Sequence, residues 1–206
     1  MNLIKKLYKK LFRKNDVKTH SAIKDWEAAG KPVPPPHLVK QEVISSLKNI
    51  YQYELFIETG TYLGEMVDAQ KNNFKKIYSI ELGEDLFRDA VKKFQHQKNI
   101  TILHGDSGDV LVKLSSLINE PAIFWLDGHY SAGITAKGSK DCPIYEELTA
   151  IFGSKPIDHI LLIDDARLFI GEDDYPTIAE LTDFVKQYRP LSKINVEDDI
   201  IKVFLK

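Results

Sequence analysis

The 206-residue sequence has a single cysteine, Cys142, so no disulfide can close within the chain. That suits a reducing compartment without proving one. No stretch approaches the roughly 18 consecutive apolar residues that a membrane-crossing helix needs. The first residues lack the unbroken apolar core of a secretory signal, because lysine pairs interrupt it. A surplus of one charge is also missing: 28 basic and 30 acidic side chains leave a formal net charge of -2. There is thus no global pull toward nucleic acid. Internal repeats and low-complexity stretches are absent. These absences fit a soluble, cytoplasmic protein, and the length fits one domain with a full core.

The charge that is present is unevenly placed. Residues 1–14 carry Lys5, Lys6, Lys9, Lys10, Arg13 and Lys14 and no acid, so the rest of the chain is acidic. Within that segment Leu3, Ile4, Leu7, Tyr8, Leu11 and Phe12 fall at helical spacing. The spacing predicts a basic amphipathic helix over 3–14. Such a helix could lie on an anionic membrane surface. Equally, its apolar stripe could pack on the protein's own body or on a second copy, giving a homodimer. The acidic main body has no basic stripe, which argues against a nucleic-acid substrate.

Gly30-Lys-Pro-Val-Pro-Pro-Pro36 can be neither helix nor central strand and reads as a stiff linker. A helix is expected from about Val39 to Ile50, as part of a lid-bearing N-terminal region 1–53. From Glu54 the chain alternates. Strands are expected at Leu55–Glu58, Ile77–Ile80, Ile100–Leu103, Ala122–Leu126 and Ile160–Ile163. Helices are expected at Met66–Asn72, Leu86–Phe94, Val110–Leu117, Tyr145–Phe152 and Ile178–Tyr188. Ser192–Val196 and Ile200–Leu205 read as a hairpin. Apolar strands alternating with helices mean an α/β fold, doubly wound on a mainly parallel sheet. The region 54–206 is one such body, seven-stranded and closed by the hairpin. Ligands of these sheets bind beyond the carboxyl ends of the strands, where strand order reverses.

The residues at those ends are therefore the informative ones. The first strand runs into Glu58-Thr59-Gly60-Thr61-Tyr62-Leu63-Gly64, a glycine pair that lets the backbone turn and approach a ligand, or simply turn. The second ends in Glu81, placed to accept from both hydroxyls of a ribose or to favour the start of the next helix. The third runs into Gly105-Asp106-Ser107, whose acid could accept from an exocyclic amine or cap a helix. The fourth ends in Trp125-Leu126-Asp127-Gly128-His129-Tyr130 and the fifth in Asp164-Asp165-Ala166-Arg167. Asp127, Asp164 and Asp165 crowd one edge, which is costly unless a cation or base lies among them. With water they would suit Mg²⁺; alternatively they cap helices and pair with Arg167 or Lys137. His129 could act as a general base near neutrality, or hold a loop hydrogen bond. Residues 131–143 form a long loop, a natural place for substrate contacts, and Lys137 and Lys140 in it hint at an anionic substrate.

As an ordered set, these motifs resemble the class I S-adenosylmethionine-dependent methyltransferases over about residues 54–206. The resemblance implies that Glu58, Gly60, Thr61, Tyr62 and Gly64 lie against the methionine part of the cofactor. Glu81 would hold the ribose hydroxyls, and Asp106 with Ser107 would lie beside the adenine. Asp127 matches the acidic fourth motif. One position departs: Tyr62 stands where a third glycine is usual. An aromatic residue there is similar to the macrocin O-methyltransferase type, metal-dependent enzymes acting on sugars. That likeness implies Mg²⁺ on Asp127, Asp164 and Asp165, with His129 or an acid beside the ion taking the proton of an acceptor hydroxyl. The acceptor would be small or glycan-like. A non-catalytic cofactor-binding scaffold and another metal-dependent enzyme modifying a nucleotide-sugar are the competing readings. A dehydrogenase fits less well, because the full three-glycine turn is missing.

Overall fold

The computed structural model describes residues 21–128 and 142–206. The predicted helix over 3–14, His129 and most of the 131–143 loop lie outside the described residues. Helix α1 covers residues 21–28 among those described, and residues 31–36 lead from it without regular structure, bending at Val33 and Pro34. The other helices are α2 (His37–Tyr51), α3 (Glu65–Gln70), α4 (Glu84–Phe94), α5 (Ser107–Leu117), α6 (Ile144–Phe152) and α7 (Ile178–Tyr188). The strands are β1 (Leu55–Thr59), β2 (Lys76–Glu81), β3 (Ile100–His104), β4 (Ala122–Leu126), β5 (Ile160–Ile163), β6 (Lys193–Glu197) and β7 (Ile200–Phe204).

They form one seven-stranded sheet in the order β3-β2-β1-β4-β5-β7-β6. The first five strands run parallel and β7 is antiparallel to both β5 and β6. The doubly wound α/β fold with a closing antiparallel hairpin is thus the one the sequence predicts.

Strands β1, β4 and β5 are buried at every residue. Their side chains alternate between two apolar layers, as the period of a strand requires. Ile57, Phe124 and Leu161 face a layer that includes Leu111 of α5 and Leu148 of α6. Phe56, Trp125 and Leu162 face a second layer with Ile44 of α2 and Val67 of α3. Helix α2 therefore packs directly on the sheet, with Ile44 fully buried.

The register sets out the strand ends. Thr59 pairs with Ile80 on one side and with Leu126 on the other, and Leu126 pairs with Ile163. The next residue of each strand therefore falls in one row: Glu81, Gly60, Asp127 and Asp164. Order reverses between β1 and β4, so the row crosses the switch point of the sheet.

Candidate functional site

The centre of the row is a close approach between two backbones. Gly60 has φ +81°, and a Cβ there would lie 2.4 Å from the carbonyl oxygen of Asp127. Only glycine can hold this place, since the conformation is left-handed and the space is already taken. The Asp127 N–H lies 3.3 Å from the Thr59 carbonyl and 3.2 Å from its hydroxyl, which fastens the end of β4 to the end of β1. The N–H groups of Gly60 and Thr61 both donate to the carbonyl of Ile80, fastening the turn to β2.

Tyr62 takes φ +48°, the left-handed backbone a glycine would have adopted, and its ring is exposed. That conformation aims its N–H at Glu81 Oε2, 2.7 Å away, while the Gly83 N–H reaches Oε1 at 2.8 Å. Glu81 is thus fixed at the carboxyl end of β2 by one donor on each oxygen, and each oxygen keeps a lone pair for a ligand. Thr61 is turned inward, its hydroxyl 2.6 Å from that of Ser79. Gly64, at φ +67°, caps α3 against the Phe94 ring.

Glu58 is buried, and its carboxyl accepts from the Ser79 hydroxyl at 2.5 Å. Burial pushes its pKa up to about 8, against the pull of the Ser79 hydrogen bond and with the help of Asp127 and Glu81. At neutral pH a proton therefore resides on Glu58 in the ligand-free protein.

Asp106 sits at the N-terminus of α5 and accepts from the Gly108 N–H at 3.0 Å. The capping role weighed for it is realised, and one carboxylate oxygen is engaged by it. Ser107 opens α5 and is buried beside Gly128. A groove of about 670 Å³ runs between α5 and α6 from Asp106 to Ser154. A narrower cleft opens between the ends of β4 and β5, lined by Gly128, Cys142, Glu147, Asp164, Phe169 and Tyr175. Burial holds the Cys142 thiol protonated, with a pKa pushed up to about 12.

At the β5 end the carboxylates meet cations. Lys40 Nζ of α2 lies 2.5 Å from Asp164 Oδ2 and 3.5 Å from Asp165 Oδ1. Asp164 Oδ1 accepts from the Asp165 N–H at 2.8 Å. Arg167 contacts Asp165 Oδ1 at 2.7 Å and also pairs with buried Asp199. Asp199 lies in the β6–β7 turn and accepts from the Arg167 N–H at 2.8 Å, which clamps the turn after β5 to the hairpin. Burial opposes the Lys40 ammonium, but Asp164, and beyond it Asp165 and Asp127, hold its pKa above the ordinary value. Burial likewise raises Asp164, against the pull of Lys40.

The pairing with Arg167 was one of the two readings of these acids; Lys40 was not foreseen. Its one signal in the sequence is a lysine on the apolar stripe of α2, four residues before Ile44. The expected Mg²⁺ on Asp127, Asp164 and Asp165 does not fit the cluster as folded. Mg²⁺ needs oxygens at about 2.0–2.1 Å in near-octahedral array. Here oxygens of Asp164 and Asp165 already face an ammonium and a guanidinium. Among the described residues no group of three His, Cys, Asp or Glu is placed to hold a metal ion. No described helix is long and apolar enough to cross a membrane.

No family model and no curated protein matches the sequence. Solved structures match the fold. The O-methyltransferase TomG of Streptomyces achromogenes, involved in tomaymycin synthesis and solved with SAM, aligns with TM-score 0.60 at 15% identity, over 91% of this chain and 88% of that one. The O-methyltransferase of Bacillus cereus, solved with SAH, aligns with TM-score 0.57 at 14% identity over 91% and 90%. The SAH-bound methyltransferase PaMTH1 of Podospora anserina gives TM-score 0.57 at 17% identity over 91% and 84%. At such identities the likeness is one of fold, the fold that these methyltransferases share.

Proposed function

We propose that this chain is an S-adenosylmethionine-dependent methyltransferase acting on a hydroxyl oxygen of a small or glycan-like compound. The observation that carries the reading is the row Glu81–Gly60–Asp127 across the switch point, where a tight glycine turn ends beside a fixed carboxylate that keeps lone pairs for a ligand. The O-methyltransferases among the structural neighbours support it.

A nucleoside cofactor fits these residues. Glu81, held by the Tyr62 and Gly83 N–H groups, would accept from the ribose hydroxyls. The turn from Gly60 to Gly64 would run along the methionine part, with Glu58 behind it. Asp106 and Ser107 would flank the adenine. When bound, the cofactor supplies a methyl group on a sulfonium, which an oxygen nucleophile can attack. The chain has three tasks around that chemistry. It holds the acceptor in line, which alone can supply much of the rate. It keeps water out, for which Phe169 and Tyr175 line the cleft beside Asp164. It takes the proton of the acceptor hydroxyl, a role assigned to Asp127 or to His129, two residues on in sequence. No step through Mg²⁺ is assigned.

Calorimetric titration with S-adenosylmethionine tests the reading. Micromolar binding is expected, with Glu81→Gln weakening it at least tenfold. Absence of binding with and without Mg²⁺ would overturn the reading and leave a scaffold on the same fold.

A further inference from the structure

We infer that Lys40 fills, in this chain, the place that a divalent ion would take among the strand-end carboxylates, so that the site operates without a bound metal. The inference rests on the methyltransferase reading for its functional meaning, but its geometry stands apart from the cofactor.

The Lys40 ammonium has the position of a counter-ion. It contacts Asp164 Oδ2 at 2.5 Å, lies 3.5 Å from Asp165 Oδ1, and is within the electrostatic reach of Asp127. It is a fixed group: its side chain is 13% exposed and that of Asp164 only 2%. The ammonium sits 6.0 Å from the centre of the Trp125 ring, and one helical turn later Ile44 anchors α2 in the core. A swing of this lysine away from the cluster would leave the buried Asp164 carboxylate without its ammonium partner. Among the described residues it is one of two cations at the cluster, Arg167 being the other. A divalent ion entering here would have to displace the ammonium and would face the guanidinium as well. A buried carboxylate deprived of its partner is strongly destabilising, which gives the fold reason to supply Lys40 permanently.

The demand on the acceptor is relaxed by this. An ammonium has three N–H donors and no vacant coordination positions. With no ion on which two adjacent hydroxyls could be gripped together, the acceptor need not be a chelating vicinal pair, and a single hydroxyl suffices.

Titration of the purified chain with Mn²⁺, followed by the spin resonance of the free ion, tests this directly. The wild-type protein is expected to take up no Mn²⁺ stoichiometrically at millimolar concentration, and to melt at the same temperature in Mg²⁺ and in a chelator. Lys40→Met keeps the stem and removes the charge; it should melt lower in chelator and regain part of the loss with Mg²⁺ or Mn²⁺, binding about one ion per chain. Adding Asp164→Asn should abolish that rescue. One Mn²⁺ bound per wild-type chain at submillimolar affinity, or a Lys40→Met protein that melts like wild type and ignores both ions, would overturn the inference. Should Lys40→Met not fold, the wild-type titration decides. These readouts involve no S-adenosylmethionine, so a failure of the cofactor reading would be seen separately.

Discussion

Gly60 and Asp127 meet so closely that the carbonyl oxygen of one residue fills the space where a side chain of the other would begin. The contact joins β1 to β4 at the point where the sheet reverses order. Gly60→Ala should therefore cost at least about 2 kcal/mol, combining left-handed strain with the displacement of the β4 end. Denaturant unfolding measures the loss. A cost below about 0.5 kcal/mol would show that the two turns can part easily.

Tyr62 offers the opposite case. Its left-handed backbone is one that glycine adopts freely, and its ring is exposed. Tyr62→Gly should leave stability within about 1 kcal/mol of wild type, the relieved strain offsetting the added freedom of the unfolded chain. Glu81 should keep its N–H partner, so affinity for S-adenosylhomocysteine should fall less than threefold. A larger fall would assign the Tyr62 ring a direct contact with the cofactor.

Glu58 should impose a pH slope on stability. Its pKa is about 8 in the folded protein against an ordinary 4.5. Between those values the unfolded chain has released a proton that the folded chain retains. The Glu58 contribution is thus fully present below pH 4.5 and lost as pH rises toward 8, at about 1.4 kcal/mol per pH unit. Glu58→Gln should remove that slope, gaining on wild type as pH rises. Parallel pH–stability curves for the two proteins would show that the carboxyl is ionised throughout.

His159 works in the other direction. Burial, reinforced by Arg189, lowers its pKa to about 4, and its Nδ1 accepts from the Ala122 N–H at 3.1 Å. The folded state excludes a proton that the unfolded state accepts below the ordinary 6.5, so this contribution is present above pH 6.5 and lost as pH falls toward 4. In a proton NMR titration its ring resonances should stay fixed from pH 7.5 to about 5. Movement with a midpoint near 6.5 would refute the burial argument.

The parts of this molecule that were legible in the sequence are those with a local cause. Ala122–Leu126 and Ile160–Ile163 read as strands because burial on both faces leaves uninterrupted apolar runs. Helix α7 begins where Thr177 and Glu180 form a reciprocal cap. Helices α4 and α5 start earlier than their apolar periodicity, at Glu84 and Ser107, because a first turn can be polar when its neighbours or its acids satisfy it. Lys40 and Asp164 lie 124 residues apart, and nothing local ties a lysine in a helix to an acid after a strand. The Arg167–Asp165 pair was legible as an alternative because the residues are neighbours; its second hold on Asp199 depends on how the hairpin folds back.

That hairpin places the last strand of the sequence inside the sheet: β7 lies between β5 and β6. It covers an edge that β5 would otherwise leave bare, and the turn before it brings Asp199 to the Arg167 N–H. A chain cut before β7 would thus lose an interior strand, and with it the clamp on the turn that carries Asp165.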